Sequence, residues 1–248
     1  MSGTWGIIPA AGCGTRIQPL AFSKELLPVG SSITSGVERP RAICEYLVER
    51  MIEAGVEKIN LIVSPGKWDI LRYFGRGMGG IHFCYTVQQQ PSGLCDAIFC
   101  ALPFIGKSER VIVGLPDTVW FPVNGLKYLP EDKLAFLLFP VSRPEFYDAV
   151  DTEPDGKVKK IYVKTEGLRD LWIWGAFGMP GEVFHQLYNL WITRSPRDEY
   201  FGTLVNAYIE SGGEAVGVRE GESYVDVGTL NGYREAMRLL SGNAHLVV

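Results

Sequence analysis

Histidine is scarce in this chain, and its cysteines are unpaired. There are three histidines (His82, His185, His245) and five cysteines (Cys13, Cys44, Cys84, Cys95, Cys100), with no C-x-x-C spacing among them. A structural zinc site needs thiolates and imidazoles clustered at short intervals, so this pattern argues against one and fits a reducing compartment. Positive charge is not in excess either: 24 Lys and Arg stand against 28 Asp and Glu, a net charge of −4. No broad basic surface is left to hold a nucleic-acid backbone by counterion release, so any phosphate has to be gripped locally. Uninterrupted apolar runs of membrane-spanning length are absent, and only Met1 to Thr4 precede the first apolar run, without a basic leader. Neither export nor membrane insertion is expected, and the cytoplasm is the expected location.

What is present is apolar material in short, punctuated runs. With 248 residues and 46% hydrophobic content, the chain can bury a sizeable core. Trp5 to Pro9 reads as a buried strand running into a glycine-bearing turn, Ala10 to Arg16. Ala42 to Ala54 places Ile43, Leu47 and Met51 on one helical face with Cys44, Val48 and Ile52 beside it, and Gly55 closes the end. The alternation repeats as strand Lys58 to Val63, helix Trp68 to Phe74, strand Ile81 to Val87, helix Leu94 to Leu102 and strand Val111 to Leu115. Such alternation predicts an α/β fold, a three-layer Rossmann-like sandwich around a mainly parallel sheet, with ligands gathering at the strands' carboxyl ends.

Beyond Asp117 the rhythm weakens. Strands are predicted at Leu134 to Val141, Val158 to Val163, Leu171 to Phe177 and Ala215 to Val218, followed by a segment at Tyr224 to Gly228. Helices are predicted at Gly181 to Leu190, Thr203 to Ser211 and Leu230 to Leu240. No long linker, repeat or low-complexity tract divides the chain. The expectation is one domain over 1–248, in two halves of about 1–125 and about 126–248, with a polar turn at Asp151 to Gly156 that could loosen.

The candidate chemistry begins at Gly12-Cys13-Gly14-Thr15-Arg16. Glycines there let backbone N–H groups approach phosphate oxygens, and Arg16 adds a planar fork of charged donors. The pattern is neither G-x-G-x-x-G nor a Walker loop, since no Gly-Lys-Ser/Thr follows. Lys24, in Ser23-Lys24-Glu25-Leu26-Leu27-Pro28, supplies a second cation close by. Alone, the loop reads equally well as a tight turn with a surface arginine, and Lys24 as a solvated lysine; the pairing is what suits a triphosphate.

Together, IIPAAGCGTRIQPLAFSKELLPVG resembles the signature of the sugar-nucleotide pyrophosphorylases, the sugar-1-phosphate nucleotidylyltransferases, and in particular the bacterial uridylyl and thymidylyl enzymes acting on glucose 1-phosphate. Pro9 is closer to the uridylyl branch. The resemblance implies that Ala10, Ala11, Gly12, Gly14, Thr15, Arg16 and Lys24 hold the nucleotide. It also implies that Gln88 reads the pyrimidine edge, with Gly93 closing the base pocket. An amide suits that reading because it offers both a donor and an acceptor. Asp117, in Gly-Leu-Pro-Asp, and Asp226, in Tyr-Val-Asp-Val-Gly-Thr, match the two carboxylates that bind Mg²⁺, a cation that favours hard oxygen ligands and keeps waters and phosphates. Lys164 matches the lysine that grips the sugar phosphate, Trp174-Gly175 the segment lining the sugar pocket, and Glu199 the glutamate on the sugar hydroxyls.

The implied reaction is attack by a sugar 1-phosphate oxygen on the α-phosphorus of UTP or dTTP, with Arg16, Lys24, Asp117 and Lys164 as the catalytic set. No nucleic acid or membrane is implied as partner. Relatives assemble as dimers or tetramers, and no hexapeptide repeat is seen as far as Val248, so the monofunctional variety is expected. The resemblance makes about 1–125 the nucleotide-binding half and about 126–248 the sugar-binding half, with two departures on the sugar side: Tyr147-Asp148 stands where the family has Tyr-Gly, which puts the Asp148 carboxylate among the sugar-binding residues, and Val163-Lys164-Thr165 stands where it has Glu-Lys-Pro. They leave open a non-glucose sugar or cyclitol phosphate, and a catalytically weak subunit that only binds nucleotide or sugar phosphate. A glycosyltransferase using a finished nucleotide sugar has less support, because it need not stabilise leaving pyrophosphate.

Overall fold

The computed structural model describes residues 3–242 other than Asp170; the readings that involve Met1 and His245 lie outside the described residues. The first strand, β1 (Thr4–Pro9), is apolar along its length because it is flanked and covered on every side. An antiparallel hairpin follows, β2 (Pro28–Thr34) and β3 (Val37–Ala42), which leads into α1 (Ile43–Glu53). The helix ends as the sequence signals: Gly55 takes φ +78, and the Val56 N–H returns to the Met51 carbonyl, closing a Schellman motif.

Next come β4 (Lys58–Val63), α2 (Trp68–Phe74), the short β5 (Gly77–Met78), β6 (Ile81–Val87), α3 (Leu94–Phe99) and β7 (Arg110–Gly114). Strands β7, β1, β4 and β6 lie side by side in parallel, which aims their carboxyl ends at one edge of the molecule. There the chain makes its loops at 10–16, 88–93 and 115–117.

The second half extends the same sheet with mixed pairing. Strand β8 (Thr118–Phe121) leaves it, and β9 (Leu134–Pro140), β10 (Ala149–Thr152), β11 (Val158–Tyr162) and β12 (Trp172–Pro180) rejoin it. Strand β12 runs antiparallel to β7 through Ala176–Pro180 and to β10 through Trp172–Ile173, so those two strands share one of its edges in succession. Its other edge pairs with β9, and the register slips between Trp174 and Ala176, making Gly175 the extra residue of a bulge. Helices α4 (Gly181–Thr193) and α5 (Phe201–Glu210), strand β13 (Ala215–Val218) parallel to β9, strand β14 (Ser223–Asp226) antiparallel to β8, and α6 (Leu230–Gly242) complete the fold.

The sheet has a core on each face, as a three-layer α/β sandwich requires. On one side α3, α4 and α5 bring Ile98, Phe184, Leu187, Phe201 and Leu204 against Val113, Phe136 and Phe177. On the other, α1 and α2 bring Leu47, Val48, Met51 and Ile70 against Ile8, Ile59, Leu61 and Ile112. A third, smaller cluster joins Val29, Ile43, Tyr46, Val119, Val225 and Ala236, seating the β2–β3 hairpin and α6 on the β8–β14 ladder.

Three expectations need correction. The α-helix predicted over Leu94 to Leu102 stops at Phe99, and a 3₁₀ turn at Leu102–Phe104 follows, because Pro103 has no N–H to donate to an α-helical ladder. The Asp151 to Gly156 turn is tied down. It closes the β10–β11 hairpin through Glu153 N–H to the Lys157 carbonyl, and its Gly156 carbonyl accepts from Gly217 N–H. Ala215 to Val218 is not the last strand, because the segment after it carries β14 at Ser223–Asp226.

Candidate active site

Four charged side chains from separate segments meet at the carboxyl end of β1 and β7. Lys24 is presented by a 3₁₀ turn, Lys24–Leu26, and its stem crosses the glycine loop directly over Gly14, where a Cβ would meet Lys24 Cδ at 2.8 Å. Gly14 also holds φ +64, so it is required twice over. Asp117 follows β7, and Asp226 ends β14; the β8–β14 ladder pairs Thr118 with Asp226 and thereby brings the two carboxylates together from 109 positions apart in sequence.

The Lys24 ammonium pairs with Asp117 Oδ2, and Arg16 donates to Asp226 Oδ2 at 3.1 Å. Gly228 lies beneath them. A Cβ on it would sit 2.8 Å from Asp226 Oδ1, 3.0 Å from an Arg16 guanidinium nitrogen and 3.4 Å from Asp117 Oδ2. Its N–H also donates to Asp226 Oδ1 at 2.7 Å.

This crowding sets the charge states. Burial alone would raise the Asp117 carboxyl, but the Lys24 ammonium and its hydrogen bond hold it below the ordinary carboxylate range. Asp226 goes the other way, raised by burial and by the neighbouring Asp117 charge. Burial would lower Lys24, yet Asp117 and Glu25 together raise it. Among the described residues no group of three or more His, Cys, Asp and Glu side chains gathers. Two carboxylates converging where residue 228 carries no side chain suit Mg²⁺, which would take its remaining ligands from waters and substrate phosphate.

On the nucleotide side, Ala10 and Ala11 are buried, whereas Gly12, Thr15 and Arg16 are exposed and Gly14 is partly so. The Ala10 N–H extends the ladder to the Ile62 carbonyl, and its own carbonyl accepts from Lys67 Nζ at 2.6 Å. Lys67 is held in turn by fully buried Glu25, at 2.7 Å. This pair was not singled out from sequence. Its only trace there is Glu25 directly before the apolar run Leu26 to Val29.

Gln88 is buried, and its Nε2 donates to Asp96 Oδ2 at 2.6 Å and to the Gly93 carbonyl at 3.3 Å. Gly93 holds φ +95 at the start of α3, and a Cβ there would collide with Glu199 Cγ at 2.4 Å.

The sugar-side candidates are divided. Glu199 sits against Gly93, and its carbonyl accepts from Leu94 N–H at 2.9 Å, so its backbone closes the α3 terminus. Lys164, at φ +43, instead reaches Tyr200, donating to its hydroxyl at 2.9 Å and lying 4.1 Å over its ring. Tyr200 was not among the sequence candidates. Asp148 lies beside Lys164 and Trp174. Gly175 lies under the rings of Phe139 and Tyr224, each 2.6 Å from where its Cβ would be, and so serves packing. A cavity of about 1020 Å³ opens from Arg16 and Asp226 past Tyr147 toward Glu235 and Arg238.

The sequence profile of the Nucleotidyl transferase family matches residues 5–242. The chain belongs to that family. A glucose-1-phosphate thymidylyltransferase of Mycolicibacterium smegmatis is 29% identical over 245 residues, covering 93% of this chain and 80% of that one. A UTP–glucose-1-phosphate uridylyltransferase of Bacillus subtilis is 30% identical over 150 residues, covering 51% and 48%. Among solved structures, the UTP-bound UGPase of Acinetobacter baumannii superposes with a TM-score of 0.77 at 21% identity, covering 99% of this chain and 95% of that one. The expected fold class is thus the family's own.

Proposed function

We propose that this chain transfers a nucleoside monophosphate unit from UTP or dTTP to a sugar 1-phosphate, with Mg²⁺ held by Asp117 and Asp226. The observation that carries this reading is the convergence of Arg16, Lys24, Asp117 and Asp226 around Gly228 beside an exposed glycine loop. Nucleotidyl transfer asks for positioning and charge rather than a protein nucleophile. An oxygen of the sugar phosphate attacks the α-phosphorus in line, the bond to the β-phosphate oxygen breaks, and pyrophosphate leaves. Arg16 and Lys24 neutralise the departing β- and γ-phosphates, and Lys164, released from Tyr200, holds the attacking phosphate. Bound Mg²⁺ supplies Lewis-acid stabilisation of the same charge.

Gln88 supports uracil or thymine over cytosine. Both observed contacts of its amide nitrogen are inside the protein, which leaves its carbonyl oxygen as the group free to meet a base. That acceptor suits the N3–H of uracil or thymine and repels the bare N3 of cytosine.

The test is pyrophosphate release with Mg²⁺ across the common NTPs and a panel of hexose, amino-hexose, deoxyhexose, heptose and cyclitol 1-phosphates. Turnover confined to UTP or dTTP is expected. Binding of UTP with no release on any sugar phosphate would sink the transfer reading in favour of a binding subunit, an alternative motivated by Asp148 and Val163.

A further inference from the structure

We propose that Asp148 determines sugar specificity: its carboxylate accepts a hydrogen bond from one sugar hydroxyl, with the indole of Trp174 as its positioning residue. This rests on the reading of Lys164 as the holder of the sugar phosphate, and adds to it the feature by which the sugar is chosen.

Asp148 sits where the sheet divides, between Tyr147 and the first residue of β10, opposite the bulge of β12. Three neighbouring segments face it. The end of β11 brings Val163 and Lys164, β12 brings Trp174, and the first turn of α5 brings Gly202, whose Cβ position lies 3.4 Å from Asp148 Oδ2. From its own side Tyr147 packs edge-on to Tyr224 at 5.7 Å. Among the described residues the one full charge attributable to its neighbours is the Lys164 ammonium, and that ammonium already donates to Tyr200.

The indole makes this arrangement unusual. Trp174 is 6% exposed, and its Nε1 is buried without a hydrogen-bond partner. A buried donor left open costs about 1–3 kcal/mol. Asp148 is the acceptor next to it, near enough for the indole to favour the charged carboxylate but short of a full bond. Burial still outweighs the help from Lys164 and Trp174, and pushes the Asp148 carboxyl up to about 6. The Lys164 backbone N–H also favours the charged form, and with it the carboxylate still lacks partners enough to offset its burial. A donor arriving there would complete its shell and draw it onto the indole.

The chemistry of that donor follows from the neighbours. It must be neutral or weakly polar, because Lys164 already supplies the charge, and it must be small, because Ile161 and Val163 methyls crowd Gly202 within 2.8 Å of its Cβ position. A ring hydroxyl meets both conditions. A site built to bond a hydroxyl rejects the analogue that lacks it far more strongly than a site that only fits its shape, because the carboxylate is then left desolvated and unpaired.

The test is calorimetric binding of glucose, galactose and mannose 1-phosphates, in the presence of Mg²⁺ and a non-hydrolysable α,β-imido UTP, followed by the monodeoxy series of the tightest binder. Wild type is expected to bind one monodeoxy compound at least about 10²-fold more weakly than its parent. Asp148→Asn should shrink that ratio to within about tenfold, chiefly by weakening the parent, and Trp174→Phe should shrink it in part while leaving the melting temperature of the folded protein high enough to measure. Equal binding of all the deoxy sugars, an unchanged ratio in Asp148→Asn, or no binding of any hexose 1-phosphate overturns the proposal. Pyrophosphate release measured in parallel separates the two ideas: discrimination without release keeps the specificity role and sinks the transfer reading, and release without discrimination does the reverse.

Discussion

At the scale of single residues, what distinguishes this site is how few side chains bear the charge. Arg16 is largely exposed, with 64% of its side chain in contact with solvent, so its removal leaves the core untouched. Arg16→Ala is expected to lower kcat by about 10² or more at unchanged melting temperature, as for loss of a donor that acts in the transition state; steady-state kinetics beside a thermal melt check it. Asp148 makes a prediction of the opposite kind. Its carboxyl binds a proton near pH 6 in the folded chain but only near the ordinary 3.8 when unfolded. Its contribution to stability is thus lowest above pH 6 and rises as pH falls from there toward 3.8. Asp148→Asn should accordingly raise the melting temperature at pH 8, and the gain should fade below pH 6. Melts at pH 5 and 8 decide it, and a gain independent of pH would contradict the burial argument.

At the scale of elements, the bulge in β12 links packing to chemistry. Gly175 lets the Tyr224 ring lie on the sheet, and Tyr224 stands two residues before Asp226. Gly175→Val is expected to cost about 1–3 kcal/mol by overpacking and to weaken Mg²⁺ binding as well, read by denaturant unfolding and a metal titration. The elements also show what a sequence discloses. Strands β4 and β6 and helix α2 were legible to the residue; β4 is buried beyond Lys58 and reads as a near-continuous apolar run, while β6 is only part-buried after Ile81 and is marked by its aromatic and β-branched residues. The β2–β3 hairpin was not, since Ser31, Ile33 and Val37 to Pro40 are exposed and carry no alternating pattern. Arg16 and Lys24 were legible through a motif of many residues, Asp117 and Asp226 only through the resemblance which that motif carries, and the structure brings all four together. Tyr200 and the Glu25–Lys67 pair were not, because each acts through a neighbour that only the folded chain supplies.

At the scale of the whole molecule, the parallel strands aim the nucleotide loops at one edge, while β8 and β14 leave the main sheet and carry Asp226 back to that edge. No helix among the described residues is long and apolar enough to cross a membrane. What the chain builds with this topology is a site whose cations and anions are already married to one another: Lys24 to Asp117 and Arg16 to Asp226. Such a site resists half-filling. A triphosphate that claims the two cations strands the carboxylates, and a divalent ion that claims the carboxylates strands the cations; only when both arrive does every charge find a new partner. Loading should therefore be strongly synergistic, and by thermodynamic reciprocity equally so in either order. UTP is expected to bind at least about tenfold tighter with Mg²⁺ than with EDTA, and Asp226→Asn to erase most of that difference, by calorimetry. A molecule wired this way would keep these four charges silent until the complete cargo is aboard.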